Sequence, residues 1–208
     1  MSFEEKRDKL IQRLERRDIS EHVLTAMRAV PRHKFVPENK QEHAYQDRPL
    51  SIGEGQTISA PHMVAEMVDL LELEAGTKVL EIGTGCGYHA AVTAEVVGAD
   101  NVYSVEYSET LATEANERLN KLGYGNISIR QGDGHQGWEE HAPYDRAYLT
   151  CAASSIPQPI IDQLRVGGIF LGPIGTYRQE LVRGEKHDGG RLEQSTHGYV
   201  RFVQMKGE

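Results

Sequence analysis

Three glycines alternate in the stretch Val79-Leu80-Glu81-Ile82-Gly83-Thr84-Gly85-Cys86-Gly87-Tyr88. Glycine at every second place lets the chain turn sharply and lets a ligand meet the backbone with no side chain in the way. The apolar residues before the glycines read as a buried parallel strand, and those after them as the start of a helix. Such a helix aims its free N–H groups and the positive end of its dipole at the ligand. The chemistry this spacing allows is the binding of a nucleotide-like cofactor at the carboxyl end of the first strand of a doubly wound sheet. A dinucleotide is disfavoured, because its G-x-G-x-x-G fingerprint places glycine where this chain has Tyr88.

Other residues could share that site. Glu106 falls about 20 residues beyond the glycines, after a second strand, where a carboxylate can accept both ribose hydroxyls of an adenosine. Its plainer reading is a solvent-exposed strand end. Asp133 stands between Gly132 and Gly134 after a third strand. It reads equally as a receptor for an adenine amino group and as an ordinary Gly-Asp-Gly turn. Ser59 lies at or beside the start of a helix opened by Pro61, and taken alone it reads as a cap. His62 taken alone is a first-turn surface residue. Cys86 and Cys151 fall where bulk would block a ligand, and with no base in their sequence context they read as small packing residues. No Ser-His-Asp arrangement is evident. The histidines show neither H-E-x-x-H nor C-x-x-C spacing, so no catalytic metal is expected.

The elements that must position these residues alternate between strand and helix. Leu10, Ile11 and Leu14 predict a helix over 3–17. Asp18 or Ser20 can cap a second helix carrying Val23, Leu24, Met27 and Val30, which Pro31 ends. Residues 32–50 read as irregular and 51–62 as a glycine-punctuated loop. A helix with Pro61 in its first turn follows, carrying Met63, Val64, Met67, Val68 and Leu71. After the glycine turn come a helix over 87–97, a strand over 101–105, and a helix capped by Ser108. Strands are expected at 127–130, 144–150 and 169–172, with a helix over 156–164. Trp138 reads as packing. The tail suggests antiparallel strands at 180–184, 191–195 and 199–203 finishing one edge. Residues 1–60 form a helical and loop extension expected to pack over the cofactor end of the sheet. Residues 61–208 form the α/β core, and the whole is one domain.

Composition bounds the partners. The chain has 208 residues, 38% apolar and 26% charged, with net charge −8. Residues 1–34 carry nine basic and six acidic side chains, so the excess acid lies beyond them. A nucleic-acid partner is not expected, since it calls for concentrated positive charge. No run approaches the 18 or so apolar residues of a membrane span, and the amino terminus lacks a signal-peptide stretch. Two cysteines cannot build a disulfide framework. A cytoplasmic monomer with no membrane or nucleic-acid partner is the expectation.

The alternating glycines resemble motif I of S-adenosylmethionine methyltransferases. Thr57-Ile58-Ser59-Ala60-Pro61-His62-Met63 narrows the resemblance to the protein-L-isoaspartate (D-aspartate) O-methyltransferases. Gly132-Asp133-Gly134 with Gly137-Trp138, Ala142-Pro143-Tyr144-Asp145, Gly167-Gly168 and Arg32-His33-Lys34-Phe35-Val36-Pro37 are similar to further stretches of that family. Cys86 replaces the usual serine, and Gln204 stands where the family has proline. The resemblance implies a Rossmann-like sheet, mostly parallel with antiparallel edge strands. It implies S-adenosylmethionine as cofactor, held by Gln56, Thr57, Ile58, Ser59, His62, Gly83, Thr84, Gly85, Glu106, Tyr107, Asp133 and Gly134, with Ser59 as the active-site serine. The implied reaction is methyl transfer to the free carboxylate of L-isoaspartyl residues in damaged proteins and peptides, with D-aspartyl residues as a further candidate acceptor. A small molecule or a nucleic acid is the alternative acceptor.

Overall fold

The computed structural model describes residues 1–207. Its centre is a seven-stranded sheet built from β3 (Val79–Ile82), β4 (Val102–Glu106), β5 (Ser128–Gln131), β6 (Tyr144–Leu149), β7 (Leu164–Ile174), β8 (Gln179–Lys186) and β9 (Leu192–Val200). The strand order is β5-β4-β3-β6-β7-β8-β9. The five strands from β5 to β7 run parallel, and β8 and β9 complete one edge antiparallel. The order reverses at β3, so the crevice outside the carboxyl ends of β3 and its neighbours is where such sheets bind ligands.

Strand β3 is buried on both faces. Leu80 and Ile82 face a layer containing Ile160 and Ile161 of a short helix α6 (Gln158–Asp162). Val79 faces the opposite layer, with helices α4 (Tyr88–Val97) and α5 (Glu109–Lys121). The two-residue period places Glu81 on that same face. There its carboxyl accepts hydrogen bonds from Ser104 Oγ at 2.5 Å and Tyr148 Oη at 2.8 Å.

Helices α1 (Phe3–Leu14), α2 (Glu21–Ala29) and α3 (Pro61–Leu70) join the α4 layer, and their apolar residues form one continuous cluster with it. A capping box from Ser2 and Glu5 opens α1. The amino-terminal helices therefore cover a face of the sheet. Only the segment after Pro31 reaches the cofactor end, which narrows the expected placement of the extension.

Three elements differ from the sequence expectations. The 51–62 loop contains a hairpin, β1 (Leu50–Gly53) and β2 (Gln56–Ile58), turned by Glu54 and Gly55 with positive φ. The 156–164 helix shortens to α6, because β7 begins at Leu164, which pairs with Tyr144. The expected 199–203 strand divides at Val200: β9 ends there, and the chain crosses back so that Gln204 bridges Ala152.

Candidate active site

The glycine turn is fixed by close packing. Gly83, Gly85 and Gly87 all have positive φ, at 96°, 54° and 86°. A Cβ on Gly83 would come within 2.4 Å of Thr150 Oγ1, whose hydroxyl donates to Gly83 O at 2.5 Å. Gly87 is the N-cap of α4, and Arg118 of α5 pins the turn by donating to Cys86 O at 3.0 Å. On the neighbouring loop, a Cβ on Gly134 would lie 2.3 Å from Ile82 Cγ2, so only glycine lets that backbone close on the end of β3.

Glu106 ends β4 with its carboxylate held at both oxygens. Oε2 accepts from the Gly85 N–H at 2.8 Å and Oε1 from the Ser108 N–H at 3.0 Å. Each oxygen keeps a second lone pair for a ligand. Against the plainer reading of a solvent-exposed strand end, Glu106 is buried, at 7% exposure.

The opposite wall is the β2 segment and the residues that follow it. Arg32, fully buried, donates to Ser59 O and to Ala44 O, each at 2.8 Å. Its guanidinium also lies over the Tyr88 ring at 4.9 Å. Arg32 thus ties the serine's backbone to the first residue of α4. Ser59 itself is half-buried and precedes the N-cap of α3, which is Ala60. Ser59 makes no capping bond; Asp47 serves that helix end, accepting from the His62 N–H at 2.9 Å.

These parts converge on one cleft at the carboxyl ends of the strands. Gln56, Thr57, Ile58, Ser59, Gly83, Thr84, Gly85, Glu106, Tyr107 and Gly134 all line it. His62 and Asp133, the other two expected cofactor residues, do not. The His62 ring turns to Asp47, with Nδ1 at 2.8 Å from Oδ1. Asp133 caps its own turn by accepting from the His135 N–H at 3.0 Å.

Sequence reasoning missed part of the lining. Val203, Gln204, Met205 and Lys206 close one side of the cleft. They are held by Ala152 N–H donating to Val203 O and Met205 N–H donating to Ala152 O, both at 2.8 Å. The Gln204 side chain donates to Thr176 O at 3.1 Å, a tether that proline could not supply. The available signal is Gln204, standing where the family has proline after the expected 199–203 strand. For Arg32 the signal is its place in the family-like stretch Arg32–Pro37, and His89 carries none beyond its letter.

Burial sets the charges around the cleft. Desolvation pushes the Glu81 carboxyl up to about 8, against the hydrogen bonds from Ser104 and Tyr148, so it is mainly neutral at pH 7. Burial also pushes the Cys151 thiol up to about 12 and raises Cys86. Both cysteines line the cleft as neutral thiols. The acidic and basic side chains among the lining residues are Glu106 and Lys206.

A mostly parallel sheet reversing at β3, a glycine turn into α4 and a carboxylate at the end of the next strand define a Rossmann-like S-adenosylmethionine methyltransferase. The model of the family described as protein-L-isoaspartate(D-aspartate) O-methyltransferase matches residues 5–208. The chain is 51% identical over its whole length to protein-L-isoaspartate O-methyltransferase 2 of Archaeoglobus fulgidus, covering 96% of that protein. It is 50% identical to the Methanosarcina mazei protein-L-isoaspartate O-methyltransferase over 99% of this chain and 85% of that one. A solved protein-L-isoaspartate O-methyltransferase superposes with a TM-score of 0.89 at 32% identity, covering 97% of this chain and 66% of that longer chain. A Plasmodium falciparum structure, titled as a complex with S-adenosyl-L-homocysteine, gives 0.82 at 26% identity, covering 95% and 97%. The chain belongs to the protein-L-isoaspartate O-methyltransferase family, whose members methylate isoaspartyl groups from S-adenosylmethionine. Membership favours that acceptor over a small molecule or a nucleic acid.

Proposed function

We propose that the cleft seats S-adenosylmethionine with its ribose on Glu106 and its methyl group facing Ser59, and that Ser59 orients the isoaspartyl carboxylate for attack. The observation that carries this reading is the convergence of the Gln56–Ser59 loop, the glycine turn and Glu106 on one cavity. Two features of the walls fit the cofactor: the carboxylate has lone pairs to spare for a diol, and the glycines leave backbone bare.

The bound cofactor supplies an electrophilic sulfonium methyl. The acceptor is a carboxyl with an ordinary pKa of about 4, already ionised at pH 7, so no general base is needed. The protein's task is in-line placement and partial desolvation of that anion. A serine hydroxyl orients a carboxylate by donating one hydrogen bond without removing its nucleophilicity. Ser59 is therefore a hydrogen-bond donor in this scheme and forms no covalent intermediate. Neutral Cys86 and Cys151 bring no competing nucleophile to the methyl group. The ester leaves the enzyme. The following backbone nitrogen then attacks it and expels methanol, and hydrolysis of the succinimide returns part of the damage to normal aspartate.

The substrate is an extended segment of a damaged protein or peptide. It enters between the β1–β2 hairpin and the 203–206 segment, which Lys206 joins by donating to Glu54 O at 3.3 Å. D-aspartyl acceptance, a monomeric state, a cytoplasmic setting, a single domain over 1–208 and the lack of nucleic-acid or membrane partners belong to the same proposal. In its support, no helix among the described residues is long and apolar enough to cross a membrane. The test of the site is Ser59→Ala. S-adenosylhomocysteine affinity should persist while kcat on an isoaspartyl peptide falls about 10- to 100-fold. Unchanged kcat refutes the orienting role.

A further inference from the structure

His89 is the second residue of α4 and lines the cleft. It is 7% exposed, and neither ring nitrogen has a hydrogen-bond partner. Its ring packs on Tyr148 of β6 with centroids 4.6 Å apart. Burial pulls its pKa down to about 3, so the imidazole is neutral at pH 7. A neutral imidazole still presents one N–H donor and one acceptor, and leaving such groups buried and unmet is costly. The ring it packs on is satisfied: Tyr148 Oη is shared between Glu81 and Thr93. A packing residue at this position would have no use for two polar atoms.

Its position selects the ligand group. Glu106, Tyr107 and Gly134 line the cleft on the β4–β5 side of the glycine turn. Thr150 and Cys151 line it beyond β6, on the other side, and there His89 packs on Tyr148. With the nucleoside on Glu106, the amino-acid end of the same cofactor falls on the β6 side. That end carries a carboxylate, and two donor sources converge on it. Helix geometry leaves the first N–H groups of α4 without intrahelical partners, and a first-turn side chain leans back toward the helix N-terminus.

We infer that the His89 imidazole N–H hydrogen-bonds the α-carboxylate of the cofactor's amino-acid moiety. This rests on the proposed seating of S-adenosylmethionine. His89 is a binding and positioning residue: by fixing the amino-acid end, it sets how far the sulfonium reaches toward Ser59.

The test compares two probes by calorimetry. S-adenosylhomocysteine has the amino-acid end, and 5′-methylthioadenosine has the same nucleoside and thioether without it. His89→Leu should weaken S-adenosylhomocysteine binding about 10- to 100-fold, the scale of one hydrogen bond to a charged group, and leave methylthioadenosine binding unchanged. His89→Gln keeps a donor in similar space and should recover most of the loss. The ligand-free Leu variant should melt no lower than the parent, because it exchanges orphaned polar atoms for apolar ones. Unchanged S-adenosylhomocysteine affinity, an equal loss for both probes, or a Gln variant as weak as Leu overturns the inference. Failure of the parent protein to bind either probe overturns the cofactor seating itself, and this inference with it.

Discussion

Replacing Glu106 with Gln tests the ribose contact more sharply than deleting it. The two carboxylate oxygens each accept one backbone N–H, from Gly85 and Ser108, and each has one further lone pair toward the cleft. Glu106→Ala removes the ligand's acceptors. Hydrogen bonds to charged groups contribute about 1.5–3 kcal/mol each. Water entering the vacated space recovers part, leaving a net loss of about 1–3 kcal/mol, or about 5- to 150-fold in Kd. Glu106→Gln keeps the shape but places an amide NH2 against one of two backbone N–H groups. Donor then faces donor, and the side chain must rotate away from either the turn or Ser108. The Gln variant should therefore bind S-adenosylhomocysteine nearly as weakly as the Ala variant, by calorimetry at 25 °C, and methylthioadenosine should weaken in parallel because it carries the same ribose. A Gln variant with parental affinity, or an Ala variant without loss, refutes this reading of Glu106. Together with His89→Leu, which spares methylthioadenosine, the two substitutions should separate the two ends of the cofactor.

Further expectations follow from the buried groups. Glu81 is neutral in the fold up to about pH 8 but ionises from about 4.5 in the unfolded chain. Its contribution to stability is present in full below about 4.5 and is lost as pH rises toward 8, at up to about 1.4 kcal/mol per pH unit. Glu81→Gln should flatten that slope in denaturant titrations at several pH values, and an unchanged slope contradicts the assignment. Arg32→Met strands the buried carbonyls of Ala44 and Ser59 and should cost about 2–4 kcal/mol of stability in urea unfolding. It should also lower turnover by loosening Ser59; a variant with parental stability and kcat contradicts the tie. Cys151, with its thiol pushed up to about 12, should alkylate far more slowly at pH 7.5 than a free thiol, and S-adenosylhomocysteine should slow it further. Rapid labelling, unaffected by the ligand, would place Cys151 outside the cleft.

The cofactor half of this site is legible in the sequence because it is local. A strand, three alternating glycines and a helix occupy consecutive residues, and Glu106 follows at the length of one helix and one strand. The acceptor half is assembled from distant pieces. Arg32 reaches Ser59 across 27 residues, and Val203–Lys206 return from beyond the last strand to lie beside Ala152. Composition carries no mark of such contacts. The β1–β2 hairpin was hidden by its length and its glycines: three- and four-residue strands around a positive-φ turn show almost no periodicity. Glu81 lies inside an apolar strand with no local sign of its role, because its partners Ser104 and Tyr148 come from the two neighbouring strands. Ser59 taken alone reads as a cap from its place before Pro61, because only tertiary structure shows Asp47 already serving that helix end.

The central claim is that this cleft delivers a methyl group to the displaced carboxylate of isoaspartate. Its most direct test uses two peptides identical except for one residue, aspartyl in one and L-isoaspartyl in the other, each incubated with the protein and methyl-labelled S-adenosylmethionine. The account predicts label as a base-labile ester on the isoaspartyl peptide, at background on the aspartyl peptide. Equal labelling of both peptides, or of neither, would contradict it.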